Sequence, residues 1–258
     1  MKSQPNADPT GAHSSRPGSA NPASQLLRAA KRLAQESSAL TFSPPVSHVY
    51  HPLIYAWKAH AEYLRKFGAT PKRILFLGMN PGPFGMTQTG VPFGEISAVR
   101  HWLQIEAPIG KPDHEHPRRP VLGFDCPRSE ISGQRLWGLF ARRFKTASSF
   151  FADHLVLNYC PVVFLEESGR NRTPDKLPPQ EREPLVEICD RHLRAVVAVL
   201  LPEWIIGVGA FAAERAREAL GDGHFKIGQI LHPSPASPAA NRDWAGLAAA
   251  QLEALGVW

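Results

Sequence analysis

Lys72-Arg73-Ile74-Leu75-Phe76-Leu77-Gly78, continuing into Met79-Asn80-Pro81-Gly82-Pro83-Phe84-Gly85, is the stretch from which the fold is read. Four apolar residues in a row, preceded by two cations and stopped by glycine, have the pattern of a strand buried on both faces. Such strands belong to parallel sheets covered by helices. The glycines and prolines that follow predict a loop from Met79 to Gly94. Working outward, three more apolar runs read as strands: His154 to Tyr159, Trp204 to Val208 and His224 to Leu231. Helical periodicity fills the intervals at Glu95 to Gln104, Gln134 to Phe144, Arg182 to Leu200 and Phe211 to Leu220. A last helix runs from Pro238 to Leu255, with Gly256 just past its end. Strands alternating with helices predict an α/β fold. The expected form is a three-layer α/β/α arrangement whose central, mostly parallel four-stranded sheet carries helices on both faces.

Two helices, Ser24 to Ser38 and Pro52 to Phe67, precede the first strand. Residues 1–23, rich in Pro, Ser, Gly, Asn and Ala, predict a disordered tail, and residues 24–258 a single domain. Glu106 to Glu130 hold five prolines and, with Ser168 to Pro179, are expected to be surface loops. Hydrophobic residues make up 43% of the 258, enough for one sizeable core. No apolar run approaches the ~20 residues of a membrane span. The N-terminus has no apolar stretch after its basic residue, so an intracellular protein is expected, in cytoplasm or nucleoid of a bacterium or the nucleus of a eukaryote.

Other composition features narrow the function. The formal net charge of +6 favours an anionic partner, nucleic acid being the commonest. Cys126, Cys160 and Cys189 form no CxxC pair, which argues for reduced thiols and against a four-cysteine iron–sulfur cluster. His114-Glu115-His116 lacks helical spacing and a third ligand, so it reads as a solvated loop and no metal is expected. Gly207 to Ala212 nearly match a dinucleotide fingerprint, but the next strand ends in Leu231-His232, with no acidic residue for a ribose. A tight strand-to-helix turn is the better reading. A Rossmann-like nucleotide-dependent enzyme stays as the weaker alternative, beside a DNA-binding module without catalysis.

In open parallel sheets ligands bind beyond the carboxyl ends of the strands. Asn80, Asn158 and His232 all fall at such ends and are expected to converge. An Asn amide offers an acceptor and a donor that match the N3–H and O4 edge of uracil, and cytosine presents the reverse. Asn158 would otherwise cap a turn. A neutral His232 can donate to charge developing on a leaving base, and as a plain surface histidine it would do nothing. Phe84 and Phe93, in the loop, are free to stack on a flat ligand or to pack inward.

Gly78 to Glu95 (GMNPGPFGMTQTGVPFGE) and His232 to Asn241 (HPSPASPAAN) strongly resemble the two signature motifs of the single-strand-selective monofunctional uracil-DNA glycosylases. Asn158 to Asn171 and His116 to Gly138 look like two further segments of that family, so the likeness runs from about Ser37 to the C-terminus. The resemblance implies a monofunctional DNA glycosylase of base excision repair. It implies excision of uracil and 5-hydroxymethyluracil from single- and double-stranded DNA, leaving an abasic site and free uracil, without cofactor or membrane and as a monomer. A deaminated purine, xanthine or hypoxanthine, remains the alternative substrate. By the same resemblance Asn80 positions the attacking water, Met79 lines the pocket through its backbone amide, Phe93 stacks on the flipped base, Asn158 reads uracil and His232 stabilises the leaving base. Gly82 stands where other uracil glycosylases carry a bulky aromatic, and so leaves room near C5. DNA contacts are implied for Ser168, Gly169, Arg170, Asn171, Arg172, Thr173 and Lys176, and for Ser234 and Pro235 with the segment after them. There the family's Arg-Asn-Pro is replaced by Ala236-Ser237-Pro238, a departure that bears on duplex invasion and not on the chemistry.

Overall fold

The computed structural model describes residues 21–258. Helix α1 (Pro22–Ser38) starts earlier than its periodicity predicts, because the Asn21 side chain accepts the Ala23 N–H at 2.9 Å and Pro22 takes the first turn. Residues 21–23, assigned to the tail by composition, thus belong to this helix and its cap. The rest of that segment lies outside the described residues.

Strand β1 (Val46–Tyr50) follows, unanticipated. The expected helix over 52–67 divides at Ala56 (φ −105°, ψ 22°) into α2 (Pro52–Tyr55) and α3 (Trp57–Phe67). The break has a use, since Gly90 (φ 72°) packs so closely there that a Cβ on it would lie 2.7 Å from the Ala56 carbonyl oxygen. After β2 (Ile74–Gly78) comes the short α4 (Met86–Thr89) inside the loop. The helix expected over 95–104 is largely a π turn, Ala98–Trp102. Helices α5 (Ile131–Phe144) and α6 (Ala147–Phe151) lead into β3 (His154–Asn158). After β3 comes the unanticipated β4 (Val163–Glu166), and the polar loop expected over 168–179 is more ordered than its composition suggests, holding β5 (Asn171–Arg172) and a 3-10 turn, Pro174–Lys176. Then come α7 (Pro179–Leu200), β6 (Trp204–Val208), α8 (Ala210–Leu220), β7 (Lys226–Ile230) and α9 (Pro238–Ala254).

The four expected strands form one parallel sheet in the order β3-β2-β6-β7. The chain leaves β2 toward one edge and then crosses back to add β6 and β7 on the other side. Right-handed crossovers in opposite directions put helices on opposite faces. Helices α1, α3, α7 and α8 pack together on one face, and α5 contacts α6 and α9 on the other. This is the three-layer α/β/α architecture read from the sequence. Strand β2, in the middle, is buried along its whole length, as its unbroken apolar run requires. The free edge of β3 is closed by Tyr63, whose hydroxyl donates to the Val156 carbonyl at 2.8 Å and accepts the Val156 N–H at 3.3 Å. A second, antiparallel sheet, β1-β4-β5, brings residues 171–173 toward the carboxyl end of the main sheet.

Candidate active site

The strand order reverses at β2, and that is where open α/β sheets bind ligands. A cavity of about 390 Å³ opens there, and Asn80, Asn158 and His232 all line it, as their positions at strand ends predict. Its loop is fixed from several sides. Buried Gln88 donates to the carbonyls of Pro83 and Pro120 and accepts the N–H groups of Leu122 and Gly123. Tyr55 donates to the Thr87 carbonyl at 2.8 Å, and His60 Nδ1 bonds the Gly90 carbonyl at 2.9 Å. The loop is therefore pre-organised, as a site for oriented chemistry must be.

Asn80 Nδ2 donates to the Val162 carbonyl at 3.3 Å, which leaves Oδ1 as the acceptor available to a water. Asn158 Nδ2 contacts Met86 Sδ at 3.3 Å, a weak acceptor, and its Oδ1 is buried with no partner. Gly78 is what lets this wall form. A Cβ there would meet Asn158 Oδ1 at 2.4 Å and the Phe93 ring at 2.5 Å. Phe93 itself has φ 52°, a conformation L-residues rarely adopt, and its carbonyl is held by Trp137 Nε1 at 3.0 Å. That constraint turns the ring into the cavity, where its centroid lies 6.3 Å from the His232 ring. His232 packs against Gly209, and burial lowers its pKa, so the imidazole is neutral at pH 7. Met79 lines the cavity with its carbonyl held by the Cys160 N–H at 2.8 Å.

Several expectations need correction. Phe84 is not among the lining residues. Its ring lies under the guanidinium groups of Arg128 at 4.0 Å and Arg119 at 5.3 Å, a cation–π arrangement outside the cavity. Gly82 does line the cavity, but the room left by its missing side chain is not empty: the Glu130 carboxylate fills it, with Oε2 only 2.4 Å from where a Gly82 Cβ would be.

The loop assigned to DNA contact splits in three. Asn171 and Thr173 line the cavity. Ser168, Arg170 and Lys176 are exposed, with Lys176 near Asp175 at 3.2 Å, and Gly169 (φ 78°) makes the turn. Arg172, expected to contact DNA, is already engaged within the protein, pairing with Glu166 at 2.7 Å and donating to the Lys176 carbonyl. Arg118 donates to the Ser168 carbonyl and Arg119 to that of Gly169, so this rim is more basic than the loop alone. Ser234 and Pro235 line the cavity, whereas Ala236, Ser237 and Pro238 do not. Ser237 caps α9 by accepting the Ala240 N–H.

The near-dinucleotide motif is packed shut, since a Cβ on Gly207 would lie 2.3 Å from the Ala213 nitrogen. His116, expected in a solvated loop, is buried, with Nδ1 accepting the Arg118 N–H and Nε2 bonding the Glu167 carbonyl. Sequence reasoning missed Glu130, Ser132 and Met86 as lining residues. The resemblance of the segment His116 to Gly138 is the signal in the sequence that bears on the first two.

The family model for the uracil DNA glycosylase superfamily matches residues 65–252. The chain is 47% identical over 228 residues to the single-strand selective monofunctional uracil DNA glycosylase of Mus musculus, covering 88% of this chain and 82% of that one. Against the protein of the same description from Bos taurus the identity is 45% over 258 residues, covering 99% and 95%. The crystal structure of wild-type Pedobacter heparinus SMUG2 superposes with a TM-score of 0.61 at 17% identity, covering 88% of this chain and 97% of that one; this likeness concerns the fold.

Proposed function

The chain belongs to the single-strand selective monofunctional uracil DNA glycosylases of the uracil DNA glycosylase superfamily, and on that premise we propose that it hydrolyses the N-glycosidic bond of uracil flipped from DNA into the cavity at Asn80, Asn158 and His232. The observation that carries this reading is Asn158 Oδ1, a buried acceptor without a partner beside the Phe93 ring. Leaving such an atom unpaired costs about 1–3 kcal/mol, and the N3–H of uracil removes that cost where the N3 lone pair of cytosine does not.

The nucleotide leaves the helix at a cost of a few kcal/mol, least where it is already single-stranded. Phe93 stacks on the base. As the bond between C1′ and N1 lengthens, its electron pair moves onto the ring and the sugar gains oxocarbenium character. Neutral His232 donates to the charge developing on the base, as an oxyanion-hole donor does. Water held by Asn80 Oδ1 adds to C1′ and releases its proton to solvent. An amide is a poor base, so leaving-group stabilisation supplies most of the acceleration. With no lysine among the described residues lining the cavity, the expected product is an abasic site on an uncut strand. Arg118, Arg119, Arg170 and Lys176 form the basic rim that would track phosphates. Duplex DNA and 5-hydroxymethyluracil fall within the same proposal.

The test uses end-labelled oligonucleotides with one uracil, single- and double-stranded, in EDTA. Breakage only after alkali, abolished by Asn80→Ala, is expected. No alkali-labile site with uracil or 5-hydroxymethyluracil would refute the reading, and purine lesions would then be tried.

A further inference from the structure

Glu130 stands at the N-cap position of α5, where a short polar side chain such as Asp or Ser would cap the helix. It makes no cap bond. Its side chain turns instead into the loop 82–85, so that Cβ atoms on Gly82 and Gly85 would lie 2.4 Å and 2.9 Å from it. The Phe84 N–H bonds the carboxylate, while Oε2 is buried with no partner and the residue lines the cavity. A carboxylate oxygen enclosed by two glycines and left unsatisfied at a ligand cavity is an acceptor awaiting a donor.

The ring geometry of a bound pyrimidine says which atom faces it. If Asn158 takes N3–H and O4, and His232 faces O2, those three positions are occupied. The remaining edge, C5 and C6, is left for the wall formed by Gly82 and Glu130. Resting on the proposed uracil reading, we infer that Glu130 is a specificity-determining residue whose open carboxylate oxygen accepts a hydrogen bond from a hydroxyl carried on C5. One oxygen then acts in two directions. It rewards 5-hydroxymethyluracil, and it opposes thymine, whose methyl group would cover the carboxylate without satisfying it. Burial raises the Glu130 pKa, which fits a group that gains from a ligand's hydrogen bond more than from solvent.

The experiment compares single-turnover excision of 5-hydroxymethyluracil and of uracil from single-stranded oligonucleotides by the full chain, Glu130→Gln and Glu130→Met. The readout is the ratio of the two rates, which a general loss of folding or catalysis does not move. Met has similar length and no comparable acceptor, and should lower the ratio by roughly tenfold to a hundredfold. Gln keeps a weaker, neutral acceptor and should lie between, at least about threefold below the parent. If Met does not fold, the Gln ratio decides, and a Gln ratio equal to the parent's overturns the proposal. Both rates falling together in both variants would make Glu130 structural and also overturn it. Excision of uracil but not of 5-hydroxymethyluracil by the parent would sink this inference alone. Excision of neither would sink the uracil reading with it.

Discussion

At the scale of single residues, the cavity works by leaving chosen polar atoms open and closing the rest. Asn80 has its amide nitrogen bonded and its oxygen available, and His232 is held neutral by burial. Replacing His232 by Ala removes the donor proposed to meet the departing base and should cost about 3 kcal/mol of barrier, on the order of a hundredfold in single-turnover rate. A loss below tenfold would remove His232 from that role. These residues were legible because each sits at the end of an apolar run, and sheet topology gathers such ends. Glu130 was not legible, since it reaches the cavity from a proline-rich segment with no periodicity. Nor does a sequence say which of two loop phenylalanines turns inward. That is settled by the positive φ of Phe93, held by Trp137, and by the two arginines that claim Phe84.

At the scale of elements, the junction of β6 and α8 shows how a motif that suggests a cofactor can be a packing device. Gly207 lies on the strand, and the α8 backbone passes where its side chain would be, with the Ala213 nitrogen and Cα at 2.3 Å and 2.6 Å from a Cβ. Backbone cannot rotate away as a flexible side chain does. Gly207→Ala should therefore destabilise the fold by about 1–3 kcal/mol, read as a lower urea midpoint at unchanged slope. A midpoint within error of the parent would show that α8 can retreat freely and that the glycine serves something else. The four parallel strands were readable because burial on both faces leaves a continuous apolar run. Strand β1 was not: Val46-Ser47-His48-Val49-Tyr50 is short, polar at its centre and bulged between Val46 and His48. Its partner β4 is more than a hundred residues away, and no local pattern encodes so distant a pairing. The consequence is functional, because this small sheet sets Asn171 and Thr173 at the cavity.

At the scale of the whole molecule, three histidines tie stability to pH, His60 and His154 buried and His192 half-buried. His60, His154 and His192 each have a pKa lowered to about 4, burial being the first cause in every case. In the unfolded chain each returns to about 6.5. Between those values the unfolded state binds protons that the folded state refuses, so stability is fully present above pH 6.5 and is lost as pH falls toward 4. Three such groups give a slope of up to about 4 kcal/mol per pH unit, against a total stability on the order of 5–15 kcal/mol. Glu130 acts in the opposite sense, because its raised pKa favours the folded state as acid is added, but it is one group against three. Urea midpoints should accordingly be level above about pH 7 and fall steeply between pH 6 and 4.5, with the Cε1 protons of these imidazoles unshifted in the NMR spectrum until unfolding. Level midpoints down to pH 4.5 would mean that the three rings accept protons in the folded state. His60 makes the loss functional as well as structural: its ring bonds the Gly90 carbonyl and so supports the loop that carries Asn80 and Phe93, a support that goes when the fold is lost. Excision should thus disappear together with the folded state on acidification.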